Sequence, residues 1–277
     1  MRLIADSGSS KTDWAILDGE LVVAEFKTLG INPFFRTSED ITSELQAIFS
    51  PYRGAITTVN FYGAGIIDAA QASVVGNALR PLLGDVPMEI ASDMLGAARA
   101  LSGDCMSVVC ILGTGSNACL YDGKQLQANI PPMGFILGDE ASGAVLGRQL
   151  VGDYFKQVMP ESMRKKFYAE YQLEKADVIE HVYRMEKPNK YLAQFAKFLN
   201  QHIAAPYCQD LLANQFGQFI DRNILQLPNA QNFEVNCVGS IAYHFQQQLK
   251  AQLEIRGLRL GTVLQSPIEG LKIYHRS

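Results

Sequence analysis

Apolar and polar positions alternate along the first hundred residues in a pattern typical of mixed strands and helices. Short apolar or alternating runs between turn residues predict strands at 2–5, 14–17, 21–26, 57–63 and 86–91. Longer amphipathic stretches predict helices at 37–49, 69–83 and 93–101, the first of them with a hydroxyl residue as N-cap. Three strands followed by alternating helices and strands predict one α/β half.

The rest of the chain predicts a second α/β half with a large helical region. It opens with a hairpin at about Ser107, and a loop containing Pro131-Pro132 leads to a helix from about Asp139. Residues 150–227 are almost wholly helical in pattern, and Lys187-Pro188-Asn189-Lys190 divides them into separate helices. The final predicted elements are a strand at 232–239, a helix at 241–254 and a strand at 258–264.

Two similar turns lie about a hundred residues apart. The first lies in RLIADSGSSKTDWAILDG (2–19) and the second in SVVCILGTGSNACLYDG (107–123). Each consists of an apolar strand, a Gly/Ser/Thr turn, a second apolar strand and an Asp-Gly turn. Because the whole arrangement recurs, it indicates a duplicated architecture.

Both turns have the chemistry of phosphate binding. Glycines let backbone N–H groups approach a phosphate, and hydroxyls add donors. Asp6 ends the first strand, and its carboxylate suits a Mg²⁺ ion that bridges phosphates. The candidate phosphate-binding residues are Gly8, Ser9, Ser10, Lys11 and Thr12 in the first turn and Gly113, Thr114, Gly115 and Ser116 in the second. Either turn alone also fits a plain β-hairpin.

Two common nucleotide motifs are excluded. The P-loop needs glycine directly before its Lys-Ser/Thr pair and another five residues earlier, where this chain has Ser10 and Ala5. The dinucleotide fingerprint fails because the first turn lacks the Gly-x-Gly-x-x-Gly spacing and runs into a strand.

The two turns resemble the phosphate motifs of the sugar kinase, actin and heat-shock chaperone ATPase superfamily. Within it, the chain is most similar to the N-acetylglucosamine kinase-like branch, also called the BadF/BadG/BcrA/BcrD ATPase family. Three further segments carry this resemblance: ASDMLGAA (91–98), GFILGDEASG (134–143) and VGSIA (238–242). The resemblance spans roughly 1–150 and 234–270.

The resemblance implies an α/β fold of two ribonuclease H-like, or actin-like ATPase, domains with a cleft between them. The expected domains are residues 1–105 and 106–277, and the second carries a helical elaboration at about 150–227.

The resemblance also implies roles for individual residues. Asp93 would be the catalytic base, although a carboxylate is also favoured in any first helical turn. Asn32, Gly134 and Asp139 would bind the sugar, with Glu140 in support, although Asn before Pro is also an ordinary turn residue. Gly239 and Ser240 would lie near adenosine. Many family members have a large aromatic residue in the segment matching 133–138, where this chain has Met133, Phe135 and Ile136.

These assignments predict a kinase that uses ATP and Mg²⁺ to phosphorylate the 6-hydroxyl of an amino sugar. N-acetylglucosamine is the first candidate, with N-acetylmuramic acid and glucosamine as alternatives. Another class remains open: an ATP-driven conformational activator of a partner enzyme, of which the related examples hold an iron–sulfur cluster through cysteines. A third candidate is a sugar-binding relative without turnover.

Composition narrows the partners. The 277 residues carry a net charge of −4 without Lys/Arg runs, and neither a nucleic-acid nor a membrane partner is expected. No apolar run approaches a membrane span, and Met1-Arg2 leads directly into a strand, so a cytoplasmic protein is expected. The odd number of cysteines, without a Cys-x-x-Cys pair, predicts buried free thiols. The sequence leaves a homodimer open.

Overall fold

The computed structural model describes residues 1–8 and 10–276. Its strands are β1 (Arg2–Ser7), β2 (Lys11–Asp18), β3 (Leu21–Leu29), β4 (Thr58–Gly63), β5 (Met88–Ser92), β6 (Met106–Leu112), β7 (Ser116–Asp122), β8 (Leu126–Ile130), β9 (Glu234–Val238) and β10 (Arg259–Leu264). Its α-helices are α1 (Ser38–Phe49), α2 (Ala69–Leu83), α3 (Asp93–Ser102), α4 (Gly134–Leu137), α5 (Gly143–Phe155), α6 (Glu161–Tyr171), α7 (Lys175–Tyr183), α8 (Pro188–Ala193), α9 (Ala196–Gln201), α10 (Pro206–Arg222), α11 (Ser240–His244), α12 (Gln246–Ile255) and α13 (Ile268–Tyr274).

The strands form two five-stranded mixed sheets with the same plan. The first has the order β3-β2-β1-β4-β5, and the second, read from its other edge, has β8-β7-β6-β9-β10. Along the chain, the first three strands of each sheet pair antiparallel with one another (β1–β2–β3 and β6–β7–β8). The last two strands, β4 and β5 or β9 and β10, run parallel to β1 or β6. The predicted α/β fold of two repeated domains is confirmed.

The chain divides into two compact units, each with one sheet. The first contains residues 1–105, 123–125 and the C-terminal residues from Ser266 onward, and the second contains Met106–Asp122 and Leu126–Gln265. These limits differ from the domain limits expected from the sequence in two short segments, 123–125 and the C-terminal helix α13.

Each unit has its own apolar core. In the first, Trp14 packs against Phe26, Phe49 and Phe61 between the sheet and α1. In the second, the helical region adds an aromatic group around Phe167, whose ring lies 5.0 Å from that of Phe198. Among the residues that the structure describes, no helix is both long enough and apolar enough to cross a membrane.

Several elements depart from the expected ones. β8, α4 and α13 have no counterpart among the predicted elements, and α5 begins at Gly143 rather than at about Asp139. The helix expected over 241–254 is two helices, because the buried Phe245 leaves helical geometry between α11 and α12.

Candidate active site

The parallel strands of the first unit end together. In the sheet register, Ser7 of β1 lies beside Gly63 of β4, and Gly63 lies beside Ser92 of β5. Asp6 and Asp93 are therefore both at the carboxyl edge of this sheet, where α/β proteins commonly bind ligands.

Asp93 is held at the start of α3 by its own helix. Ser92 caps the helix by accepting the N–H of Leu95, and Asp93 Oδ1 accepts the N–H of Met94 at 2.9 Å. Burial raises the pKa of Asp93 to about 6, although the backbone N–H groups of Met94 and of Asp93 itself act to lower it. The result is a half-buried, oriented carboxylate that can accept a proton near neutral pH.

Asp6 lies in a locally acidic environment. Burial, followed by the carboxylates of Asp93 and Asp13, raises its pKa to about 7, and Lys11 acts in the opposite direction. Asp13 lies directly across from Asp6 in the β1–β2 register. A divalent cation would supply the positive charge that this group lacks, so the donor set fits Mg²⁺.

The carboxylates around Asp6 suit a cation that takes only one or two ligands from the protein. Among the described residues, no group of three or more His, Cys, Asp or Glu side chains is arranged to hold a metal ion alone. Mg²⁺ commonly binds one or two carboxylates and takes its other ligands from phosphates and water.

Several of the predicted phosphate-binding donors in the first turn are already bonded to other groups of the protein. The N–H of Gly8 donates to the carbonyl of Lys11 at 3.0 Å, and Lys11 Nζ lies 2.5 Å from Asp13 Oδ2. Ser10 is half-buried, whereas Ser9 lies outside the described residues. Thr12 is fully buried and donates to the carbonyl of Leu29.

Ser7 joins the first turn to the loop that carries Asn32. Its hydroxyl lies 2.8 Å from Thr12 Oγ1, accepts the N–H of Ile31 and donates to the Ile31 carbonyl. The next residue, Asn32, uses its side-chain oxygen to accept the N–H of Phe34. Ser7 therefore fixes the position of Asn32 relative to the first turn.

Asn32 also needs a glycine beside it. Gly65 has a φ of +82°, and a Cβ at this residue would lie 2.5 Å from Asn32 Oδ1. Any side chain at position 65 would displace the amide, since an L-residue is also strained at this φ.

The second unit repeats the edge arrangement. Ile111 of β6 lies beside Val238 of β9, so the second turn and Gly239 begin at the same sheet edge. Gly239 has a φ of +118°, and a Cβ there would lie 2.3 Å from the carbonyl oxygen of Leu112. The structure thus brings the predicted adenosine residue against the predicted phosphate turn, with Ser240 exposed at the start of α11.

Backbone hydrogen bonds fasten the second turn to α5. The N–H of Gly113 donates to the carbonyl of Gly115, and the carbonyl of Gly113 accepts the N–H of Gly143 at 2.8 Å. The carbonyl of Thr114 accepts the N–H of Ala144 at 3.1 Å. The first two residues of α5 therefore hold the backbone of the second turn in place.

Asp139 does not lie at a helix start, as the sequence pattern indicated. Ser142 is the N-cap of α5, and Asp139 precedes it with a φ of 50°, in the left-handed region. This conformation turns its carboxylate against the second turn: a Cβ on Gly115 would lie 3.0 Å from Asp139 Oδ2. Burial raises the pKa of Asp139 to about 6, the N–H of Ser116 lowers it, and Glu140 raises it.

Gly134 lies apart from these contacts. It starts the short helix α4 with a φ of 69° and is exposed, as are Met133, Ile136 and Leu137 around it. Arg148 donates to the carbonyl of Phe135 and so ties this segment to α5.

Three contributors to the site were not predicted. Ser7, Gly65 and the α10 partners of Glu140 have no motif of their own, and their importance appears only through contacts between distant segments. A signal for Ser7 existed in the alternation of β1, which places it on the buried face with Leu3 and Ala5.

No protein-family model matches the sequence, and no curated protein matches it. Solved structures do. The chain is 46% identical to a "putative N-acetylglucosamine kinase" of Porphyromonas gingivalis, over 100% of this chain and 99% of that one, with a TM-score of 0.95.

More distant structures share the fold. A protein of the same description from Chromobacterium violaceum is 16% identical over 99% of this chain and 98% of that one, with a TM-score of 0.73. A ROK family glucokinase from Streptomyces griseus, solved with glucose and AMPPNP, is 14% identical over 99% and 97%, with a TM-score of 0.53.

The full-length match at 46% identity coincides with the motifs of the sequence and with the repeated sheets. The chain belongs to the N-acetylglucosamine kinase-like branch of the sugar kinase, actin and heat-shock chaperone ATPase superfamily.

Proposed function

We propose that this protein is an ATP-dependent kinase that phosphorylates the 6-hydroxyl of an amino sugar, with N-acetylglucosamine as the first candidate substrate. The observation that carries the proposal is the half-buried Asp93 carboxylate, oriented by its helix and close enough to Asp6 to raise the pKa of that group. The kinship with the Porphyromonas gingivalis protein supports it.

Asp93 acts as the base in this mechanism. The sugar O–H bond breaks, its proton passes to the Asp93 carboxylate, and the hydroxyl oxygen forms a bond to the γ-phosphorus. The bond between that phosphorus and the β,γ-bridging oxygen breaks, and ADP leaves. Positioning supplies most of the rate enhancement in such reactions, which is why a fixed carboxylate matters more than a strong base.

The two turns and Gly239–Ser240 bind the nucleotide. Ser9, Ser10 and Lys11 contact phosphates from the first turn, and Gly113, Thr114, Gly115 and Ser116 from the second. Gly8 and Thr12 act by shaping the first turn, since the Gly8 N–H and the Thr12 hydroxyl already have partners.

Asp6 holds Mg²⁺ directly or through water. The bound ion would neutralise charge on the phosphates of ATP. Lys11 is shared between Asp13 and the nucleotide, so Asp13 orients the Lys11 ammonium.

Asn32, Gly134 and Asp139 bind the sugar. The Asn32 amide and the Asp139 carboxylate are hydrogen-bonding groups suited to hydroxyls and to an N-acetyl group. N-acetylmuramic acid and glucosamine are the competing substrates.

The test is a coupled ADP-release assay with Mg-ATP and N-acetylglucosamine, N-acetylmuramic acid, glucosamine, N-acetylmannosamine or glucose. We expect one amino sugar to stimulate ADP release, and Asp93→Asn to lower kcat by about 10²-fold or more, as loss of a general base does. Asp85→Asn, at an exposed aspartate of the same unit, is the matched control. ADP release that no sugar changes would instead favour a conformational ATPase.

A further inference from the structure

The helical region of the second unit supplies three polar side chains to the loop that carries Asp139. We name residues 138–142 the Asp139 loop. Arg222, the last residue of α10, donates from Nε to Glu140 Oε1 at 2.5 Å, and Asn223 donates from Nδ2 to Glu140 Oε2 at 3.1 Å. From the same helix, Gln215 Oε1 accepts the N–H of Ala141.

The opposite side of the Asp139 loop is fastened to the second turn. Ser116 Oγ donates to the carbonyl of Glu140 at 2.9 Å, and the Asp139 carboxylate packs against Gly115. Glu140 is therefore bonded through its side chain to α10 and through its backbone to the second turn.

The loop has a conformation that its own sequence does not favour. Asp139 has a φ of 50° and Ala141 a φ of 59°, two left-handed non-glycine residues within three positions. Such backbone persists only where the surroundings impose it. The bonds from α10 and Asn223 on one side, and from Ser116 on the other, act on the loop from outside it.

Glu140 also depends on these partners electrostatically. Its side chain is only 12% exposed, whereas that of Arg222 is 62% exposed. A carboxylate withdrawn from water requires a cation or several donors, and without Arg222 only the Asn223 amide would remain for its side-chain oxygens among the bonds described.

We propose that α10 is a positioning element for sugar binding: Arg222, Asn223 and Gln215 hold the Asp139 loop through Glu140 and Ala141, and thereby place the Asp139 carboxylate. This inference rests on the proposed function for its sugar, and it assigns a role to the helical region. Glu140, Arg222, Asn223 and Gln215 are positioning residues, since they act through Asp139.

The test compares Arg222→Met with Asp221→Asn. Asp221 is the adjacent residue of α10 and forms a two-bond ion pair with Arg256, whose other described side-chain bonds go to Gln252. Both changes remove an ion pair from the same helix turn. We expect Arg222→Met to raise KM for the sugar about tenfold, which is the effect of losing one polar contact to the substrate. KM for ATP should stay within about twofold of the wild-type value. Arg222→Lys should recover part of the loss, and Asp221→Asn should resemble the wild type.

A double-mutant cycle adds a second readout. If Arg222 acts through Glu140, the effects of Arg222→Met and Glu140→Gln on KM for the sugar should be strongly non-additive, whereas Asp221→Asn and Glu140→Gln should be additive. An unchanged KM for the sugar in Arg222→Met, or an equal rise in Asp221→Asn, would overturn the inference while the kinase assignment stands.

Hydrogen exchange separates the two proposals. If the wild type phosphorylates no sugar, the proposed function fails, but backbone exchange over 138–142 still measures whether α10 holds the loop. Faster exchange there in Arg222→Met than in Asp221→Asn supports the positioning role, and equal exchange overturns it.

Discussion

Single residues fix the geometry of the site through contacts that leave no room for change. Gly115 illustrates this, because its φ lies outside the left-handed region and the three atoms nearest to an added Cβ all belong to the Asp139 carboxylate. Ser7 is a second case, in which one buried hydroxyl joins Thr12 to Ile31.

Gly115→Ala should weaken sugar binding more than it weakens folding. The added Cβ would lie 3.0 Å from Asp139 Oδ2, so the carboxylate must move by a few tenths of an ångström. We expect KM for the sugar to rise about tenfold, in line with the sensitivity of bound geometry to small displacements. Steady-state kinetics check this, with Gly152→Ala as the control because a Cβ there meets no atom within 4 Å. Equal effects of the two changes would contradict the assignment of Asp139.

The sequence predicted site residues where a short motif carries the chemistry. Asp6, Asp93 and the glycines of both turns lie at strand ends, and strand ends can be read from apolar runs. The left-handed Asp139 could not be predicted, because its loop is bonded at Glu140 and Ala141 to residues 76 to 84 positions after Asp139, from Gln215 to Asn223. Thr12 is a residue whose burial the motif does not reveal. Its hydroxyl matches a phosphate motif, but in β2 its side chain is fully buried in the protein interior.

At the scale of elements, the predicted bounds were accurate where local signals are strong. α1 begins as expected at the Thr37 cap, which forms a full capping box with Asp40. α2 and α3 likewise follow their amphipathic patterns. β8 was missed although its sequence, LQANI, alternates between apolar and polar residues, because the strand has only five residues and none of them is fully buried.

The elements that carry Asp93 depend on a close helix crossing. α13 packs against α3, and a Cβ on Gly270 of α13 would lie 2.2 Å from the carbonyl oxygen of Ala100. Only glycine allows the two backbones to approach this closely. The C-terminal helix thereby supports the helix whose first residue is the proposed base.

Gly270→Ala should destabilise the protein although alanine is the better helix former. The displaced helices should lower the free energy of unfolding by about 1–3 kcal/mol, as for overpacked cores, against a gain of about 1 kcal/mol in helix propensity. Chemical denaturation measures the difference, with Ile273→Ala at an exposed position of the same helix as the control. A variant as stable as the wild type would show that the crossing is not tight.

At the scale of the whole molecule, one plan occurs twice and is elaborated once. A single helix, α1, connects β3 to β4, whereas seven helices, α4 to α10, connect the equivalent strands β8 and β9. The repeat was predictable from the two turns. The attachment of α13 to the first unit was not, since nothing in its short sequence marks the surface that it covers.

A buried polar network ties the end of the chain to the first sheet. Arg2 donates to His275 Nδ1 at 3.0 Å, so His275 is neutral and its Nε2–H donates to the Tyr62 hydroxyl. Arg99 also donates to this hydroxyl and pairs with Glu89. Burial, followed by the charges of Arg2 and Arg99, lowers the pKa of His275 to about 4, and Glu89 acts in the opposite direction.

This network makes one contribution to stability that is lost in mild acid. The unfolded chain protonates His275 near its ordinary pKa of 6.5, whereas the folded protein does so only near 4. At this residue the unfolded state therefore binds more protons between these values, and the His275 contribution to the free energy of unfolding falls by about 1–3 kcal/mol as the pH drops from 6.5 to 4.

Comparing variants isolates the His275 contribution, because Asp6, Asp93 and Asp139 act with the opposite sign. Their raised pKa values favour the folded state in acid. Denaturation curves at pH 7 and 4.5 should show that acid shifts the free energy of unfolding further upward for His275→Gln than for the wild type, while His244→Gln, at an exposed histidine, follows the wild type. Parallel pH profiles for all three proteins would contradict the neutral, buried His275.

The central claim is that Asp93 accepts the proton of a sugar hydroxyl while the γ-phosphoryl group of ATP is transferred to that oxygen. Mass spectrometry and ³¹P NMR of the products formed from Mg-ATP and N-acetylglucosamine test it most directly. We predict a sugar 6-phosphate formed in a 1:1 ratio with ADP by the wild type and by Asp85→Asn, and less by about 10²-fold or more from Asp93→Asn in the same time. ADP and inorganic phosphate without any sugar phosphate, from this or any other amino sugar tested, would contradict the account.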